Sequence, residues 1–189
     1  FWVGHLPKAE NAAAVAGLQV SGPVVWFLVA FAFGFGSSGL ALVSQFMGAH
    51  NEVDAEKAAG QTMSLAILLG FAVAVIGVVL SPILLPVLTP DRAISANAIS
   101  YTRIIFIGMP AIFVSAVYAH IMNAYGDTVT PMLINAITVG LNVFLDPLMI
   151  FGWGPFARMG VAGAALATIL CQALSAVISL WVLMTGRRK

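Results

Sequence analysis

In the last third of the chain, the run GLNVFLDPLMIFGW holds one carboxylate, Asp146, among apolar side chains. A lone acid in such a run is a candidate to bind a proton or a small cation. A carboxylate withdrawn from water favours a counter-ion, and an Asp at the centre of a membrane helix costs about 2.5–3.5 kcal/mol to insert. The other six of the seven acids fall in polar breaks or at expected helix ends. At about 100° per helical residue, Asn135, Thr138, Asn142 and Asp146 share an arc of about 80°. Asn142 stands one turn before Asp146, close enough to share a bound cation or a proton-linked hydrogen bond. Polar groups facing lipid are expensive, so this face is expected to look inward.

A second stripe follows. Thr168, Gln172, Ser175 and Ser179 share a face about 60° wide. Two adjacent helices with inward polar stripes can line one cavity. Ser, Thr and Gln also serve as hydrogen-bonding contacts between membrane helices, so for this second stripe both readings stand. Nothing suggests catalysis. His5, His50 and His120 have no paired ligand spacing, and an intramembrane hydrolase would want two buried acids or a Ser with a base. The GFGSSG run has no preceding strand and is not a phosphate loop. The single cysteine, Cys171, is read as a small buried residue.

The elements that carry these residues follow from composition. Hydrophobic residues make up 61% of the 189 and charged residues 8%, with a mean hydropathy of +1.03. A soluble domain carries roughly 25% charge, so the solvent here is mostly lipid, and a multi-pass protein of the cell membrane is expected. Five long apolar segments, at 14–47, 59–88, 96–124, 131–151 and 161–184, are each long enough to cross a hydrocarbon core of about 30 Å. They are expected to be helices, since they are long and lack period-two alternation. Pro110, near the middle of the third, marks a bend or hinge. Ser95 and Asn97 are candidate caps, and Thr130 is expected to cap a helix with Pro131 at its first position. Glu52, Asp54 and Glu56 read as a solvated loop and helix start, not a metal site. Gly34, Gly36, Gly39 and the pairs Gly160–Ala164 and Gly163–Ala167 are expected to let helices approach closely.

The net charge of +1, with no basic stripe, gives no reason to expect a nucleic-acid partner. Lys57, Arg187, Arg188 and Lys189 collect on one expected side, and Lys8, Arg92, Arg103 and Arg158 on the other, so the count of basic residues sets no orientation. The cluster after the last helix favours a cytoplasmic C-terminal end. The chain opens FWVGHLP without an initiator Met and closes on Arg187–Lys189. Both ends are expected to be cuts through something longer, with residues 1–3 the last part of a sixth helix.

Several stretches, taken in order, resemble the multidrug and toxic compound extrusion (MATE) family. FWVGHLPKAENAAAVAGL is similar to the end of its first helix and the following turn, and GLALVSQFMGAHNEVDAEKAAGQ to its second helix, loop and third. YTRIIFIGMP resembles the fourth helix, and GDTVTPMLINAITVGLNVFLDPLMIFG with GPFARMGVAGAALAT the fifth and sixth. The resemblance implies an all-α fold of twelve helices in two six-helix lobes, both ends cytoplasmic. The present chain would form most of the N-terminal lobe: five complete transmembrane helices plus a stub, partnered by a C-terminal lobe of the same parent chain. It also implies export of organic cations and other amphipathic compounds in exchange for protons or sodium ions, with no bound cofactor. An Asp and an Asn of the family's fifth helix match Asp146 and Asn142, a Tyr opening the fourth matches Tyr101, and a Thr of the sixth matches Thr168. Two features depart from the family. MNAYGDTVTP lacks the basic residues often found before the fifth helix, and the acid of the first helix would precede Phe1. A non-transporting membrane scaffold, or a flippase of lipid-linked precursors, is the alternative reading.

Overall fold

The structure, a computed structural model, describes residues 3, 8–89, 91–152 and 157–185, with the backbone alone for 8–11. The ends on which the orientation and stub expectations rest, Phe1, Trp2 and Arg187–Lys189, lie outside the described residues, as does His5. Among the described residues six α-helices follow in order: α1 (Lys8–Gly48), α2 (Glu52–Leu88), α3 (Arg92–Ile107), α4 (Met109–Ala124), α5 (Val129–Phe151) and α6 (Val161–Met184).

Polar residues placed in breaks by the apolar pattern turn out to start helices. Helix α2 begins at Glu52, not near residue 59, because Asn51 caps it. The Asp54 N–H donates to Asn51 Oδ1 (3.2 Å), and the Asn51 amide donates to Asp54 Oδ2 (2.8 Å). At α3, Asp91 is the cap in place of Ser95 or Asn97. Its Oδ1 accepts from the N–H groups of Ala93 (2.8 Å) and Ile94 (3.2 Å), which moves the helix start ahead of Ser95. At α5, Asp127 does the work expected of Thr130. Its carboxylate accepts from the Val129 and Thr130 N–H groups and from the Thr130 hydroxyl. The helix therefore starts at Val129 and Pro131 falls within its first turn, not at its first position.

The third apolar segment is broken as Pro110 demands. Pro110 has no N–H to offer the carbonyl four residues back, and its ring crowds that carbonyl. Helices α3 and α4 accordingly meet at Gly108 with their axes bent by 52°. The Gly108 N–H is shared between Ile104 O (3.2 Å) and Ile105 O (3.0 Å), and Ala111 N restarts the ladder on Gly108 O (3.0 Å). Among the described residues, four helices are long and apolar enough to cross a membrane, and five spans result when the bent pair counts as one.

Helix α4 is the hub. It packs on α1, α2 and α6 and buries Met109, Phe113, Val117, Tyr118 and Ile121. The outward faces of the others carry large exposed apolar side chains, among them Trp26, Phe71, Phe144 and Trp181. That is the pattern of a bundle solvated by lipid. Helix α5 is covered on one side: it lies along α6 and barely meets α4.

Candidate functional site

The last turns of α5 and the first turns of α6 are clamped together. Met159 N donates to Met149 O (3.1 Å) and Gly160 N to Ile150 O (3.2 Å), so the carbonyls at the end of α5 are paired by the start of α6. Gly160 holds a φ of +55°, a backbone state that favours glycine. It is thus a turn residue, with open space around it, and not a packing residue. Gly163 is the packing glycine: a Cβ there would overlap the Met149 carbonyl oxygen. Of the expected α1 glycines, Gly36 lies against His120 and Gly39 against Thr62, while Gly34 faces open space and packs on nothing.

This clamp sets the polar groups of α5 beside α6. Asn142 Nδ2 donates to Asp146 Oδ1 at 3.3 Å, and both side chains are half-buried. Asp146 lies five residues before the end of α5, about 7–8 Å from it along the axis. Asp146 is thus slightly nearer that end of the helix than its middle. From α3, half-buried Tyr101 lies within electrostatic reach of Asp146. From α6, the buried Cys171 thiol is within hydrogen-bonding reach of Asn142. Three helices therefore converge on one carboxylate and one amide.

The rest of the expected α5 face divides. Thr138 is buried, but its hydroxyl donates to Ile134 O and Asn135 O of its own helix, each at 3.0 Å. Asn135 is exposed, against the expectation that it looks inward. The packed side of α5 centres on Ile134, Thr138 and Met149; Asn135 shares the angular position of Asp146 but lies about 16 Å nearer the start of the helix. On α6 the stripe does point inward: Ser175 and Ser179 are buried, Thr168 and Gln172 half-buried. Thr168 donates to Ala164 O of its own helix (3.0 Å). Among the described residues, no hydrogen bond joins Thr168, Gln172 or Ser175 to the Asn142–Asp146 pair. Cys171 was missed as a neighbour of that pair. Its place about 60° round from Thr168 was the available signal. His120 is wedged between helices, edge-on to Phe33 with ring centroids 5.8 Å apart, and His50 is an exposed turn residue.

A bundle of this kind, with lipid-facing apolar surfaces and a polar pair held near one end, is a multi-pass protein of the cell membrane. The chain belongs to the MatE family, whose model matches residues 1–148. It is 33% identical over 177 residues to the probable multidrug resistance protein YoeA of Bacillus subtilis (strain 168), aligning 93% of this chain with 37% of that one. To the probable multidrug resistance protein NorM of Thermotoga maritima it is 31% identical over 171 residues, 90% of this chain and 37% of the relative. A solved MOP superfamily transporter from Pyrococcus furiosus superimposes with a TM-score of 0.90 at 26% identity, over 100% of this chain and 40% of that one. The expected all-helical membrane fold and family resemblance are borne out. The chain spans 37% of the length of either relative and 40% of that structure.

Proposed function

We propose that this chain forms most of the N-terminal lobe of a secondary active exporter. That exporter exchanges protons or sodium ions for organic cations and other amphipathic compounds, and its second lobe belongs to the same parent protein. Asp146 is the coupling-ion ligand, Asn142 its partner, and Tyr101 borders the site. Thr168, Gln172 and Ser175 line the cavity wall on α6.

The observation that carries this reading is the half-buried Asn142–Asp146 pair at 3.3 Å. Its hydrogen bond runs within one helix, so it ties no two helices together. An acid retained as a structural fastener would be expected to bond across helices, which weighs against the scaffold reading. The Asp146 carboxylate offers oxygen ligands to a small hard cation and can accept a proton, while the Asn142 amide donates to it and orients it. Loading and release of that ion change the charge between α3, α5 and α6, and so bias how these helices pack. In transporters built from paired lobes, such a bias selects which side of the membrane the central cavity faces.

The names of the relatives support multidrug export, being multidrug resistance proteins. The test is transport by the full-length protein in inverted membrane vesicles. A proton or sodium gradient imposed across the vesicle should drive uptake of ethidium. Uptake that does not respond to either gradient would remove ion-coupled export as the function.

A further inference from the structure

The clamp between α5 and α6 fixes a register, and that register brings one more side chain level with the Asn142–Asp146 pair. Gly163 stands against Met149, since a Cβ there would overlap the Met149 carbonyl oxygen. Helix α5 ends at this contact, α6 starts from it, and the two lie along one another. Asn142 precedes Met149 by seven residues and Cys171 follows Gly163 by eight, about 10 Å and 12 Å along the two axes. The amide and the thiol are therefore level. Gly163, Ala167 and Cys171, spaced four apart on α6, are all buried, so the row that meets α5 carries the thiol inward. Its sulfur lies within hydrogen-bonding reach of Asn142.

The ligands that this arrangement offers are uneven. Asn142 turns its N–H towards Asp146 Oδ1 at 3.3 Å, so on that side the amide supplies a donor and not an oxygen. The Thr168 hydroxyl donates to Ala164 O of its own helix. The α6 side chain that reaches the pair ends in sulfur. A neutral thiol is a weak acceptor, and sulfur suits soft metals. Sodium is a small hard ion, and ions of that kind are held by several oxygens. A proton needs a single oxygen, which Asp146 itself provides.

We propose that Cys171 is a specificity-determining residue of the Asn142–Asp146 site. Its sulfur stands where a sodium ion would need an oxygen, and so discriminates against sodium as the coupling ion. The consequence for transport rests on the export reading. The ion preference itself rests on the contact between α5 and α6.

The test reads sodium binding in the purified full-length protein, as the rise in thermal unfolding midpoint when sodium chloride replaces choline chloride. A ligand that binds the folded state raises that midpoint. The part of the rise that Asp146→Asn removes belongs to this site. Wild type should show little of that part. Cys171→Ser exchanges sulfur for oxygen and should gain it, with a half-saturating sodium concentration roughly tenfold or more below that of wild type. Cys171→Ala removes the sulfur without adding an oxygen and should show no gain. In inverted vesicles, a sodium gradient should drive ethidium uptake more strongly in Cys171→Ser than in wild type. Three results would overturn the proposal: an Asp146-dependent rise in wild type equal to that of Cys171→Ser, a gain that Cys171→Ala shares, or a gain that persists in Asp146→Asn. The wild-type measurement stands whether or not the variants fold. Sodium binding gained in Cys171→Ser, with no gradient-driven uptake by either protein, would sink the export reading alone. Gradient-driven uptake with the same ion preference in both proteins would sink this inference alone.

Discussion

Asn142 and Asp146 meet across a single turn of α5, the amide donating to the carboxylate at 3.3 Å. The contact shapes a site without joining two helices. A hydrogen bond to a charged group is worth about 1.5–3 kcal/mol, and here that energy orients a ligand. Asn142→Ala should therefore leave the thermal unfolding midpoint within a few degrees of wild type. It should lower ion-driven export roughly tenfold or more. Parallel unfolding and transport measurements on one preparation check both halves.

Two glycines spaced two residues apart on α1 should respond in opposite ways. Gly36 lies against the His120 ring, while a Cβ at Gly34 would meet nothing. Gly36→Ala overpacks the α1–α4 contact and should cost about 1–3 kcal/mol. Gly34→Ala should be neutral, or stabilising by up to about 1 kcal/mol through helix propensity. Adding His120→Ala to Gly36→Ala should recover much of the loss, because the clash is with that ring. Unfolding curves of the three variants and the wild type in detergent decide the matter.

At Gly163 the obstacle is backbone. A Cβ would meet the Met149 carbonyl, which no rotamer change can move. Gly163→Ala should cost more than Gly36→Ala, at or above the upper end of the same range of about 1–3 kcal/mol. Since it forces α5 from α6 beside the polar pair, it should also lower export. A variant as stable and active as wild type would show that the two helices are not held at this distance.

Asp127 gives a pH dependence with a definite sign. The Thr130 hydroxyl, followed by the Thr130 and Val129 N–H groups, holds its carboxyl below the ordinary value of 3.8. A depressed carboxyl stabilises the fold above its unfolded-state value and loses that contribution as pH falls through its folded-state value. Asp127→Ala should thus cost about 0.5–2 kcal/mol near neutral pH. The gap from wild type should narrow only under strongly acidic conditions. Unfolding of both proteins across an acid titration measures it.

Much of the architecture was legible because membrane burial makes polarity expensive. The α6 boundaries could be read directly from Val161 to Met184, where a mainly apolar run free of charged residues and proline lies between turn signals. Pro110 announced its bend for a chemical reason that no packing could override. The caps were harder. Asp91 and Asp127 belong to the helices they precede, yet a polar first turn looks like a loop when only apolar periodicity is followed. Periodicity also shows which residues share a face, but not which side of a helix is covered. Asn135 and Asn142 lie on one stripe, and only Asn142 comes to rest against α6. Cys171 carried no polar signal of its own, though its spacing from Thr168 set it on the same side.

The most direct measurement is gradient-driven ethidium transport by the full-length protein with and without Asp146→Asn, at matched levels in the membrane. Asn keeps the size of the side chain and removes its charge. The expected result is normal membrane insertion with transport that no longer responds to a proton or sodium gradient. Transport by Asp146→Asn at the wild-type rate, still responsive to the gradient, would contradict a coupling role for this carboxylate.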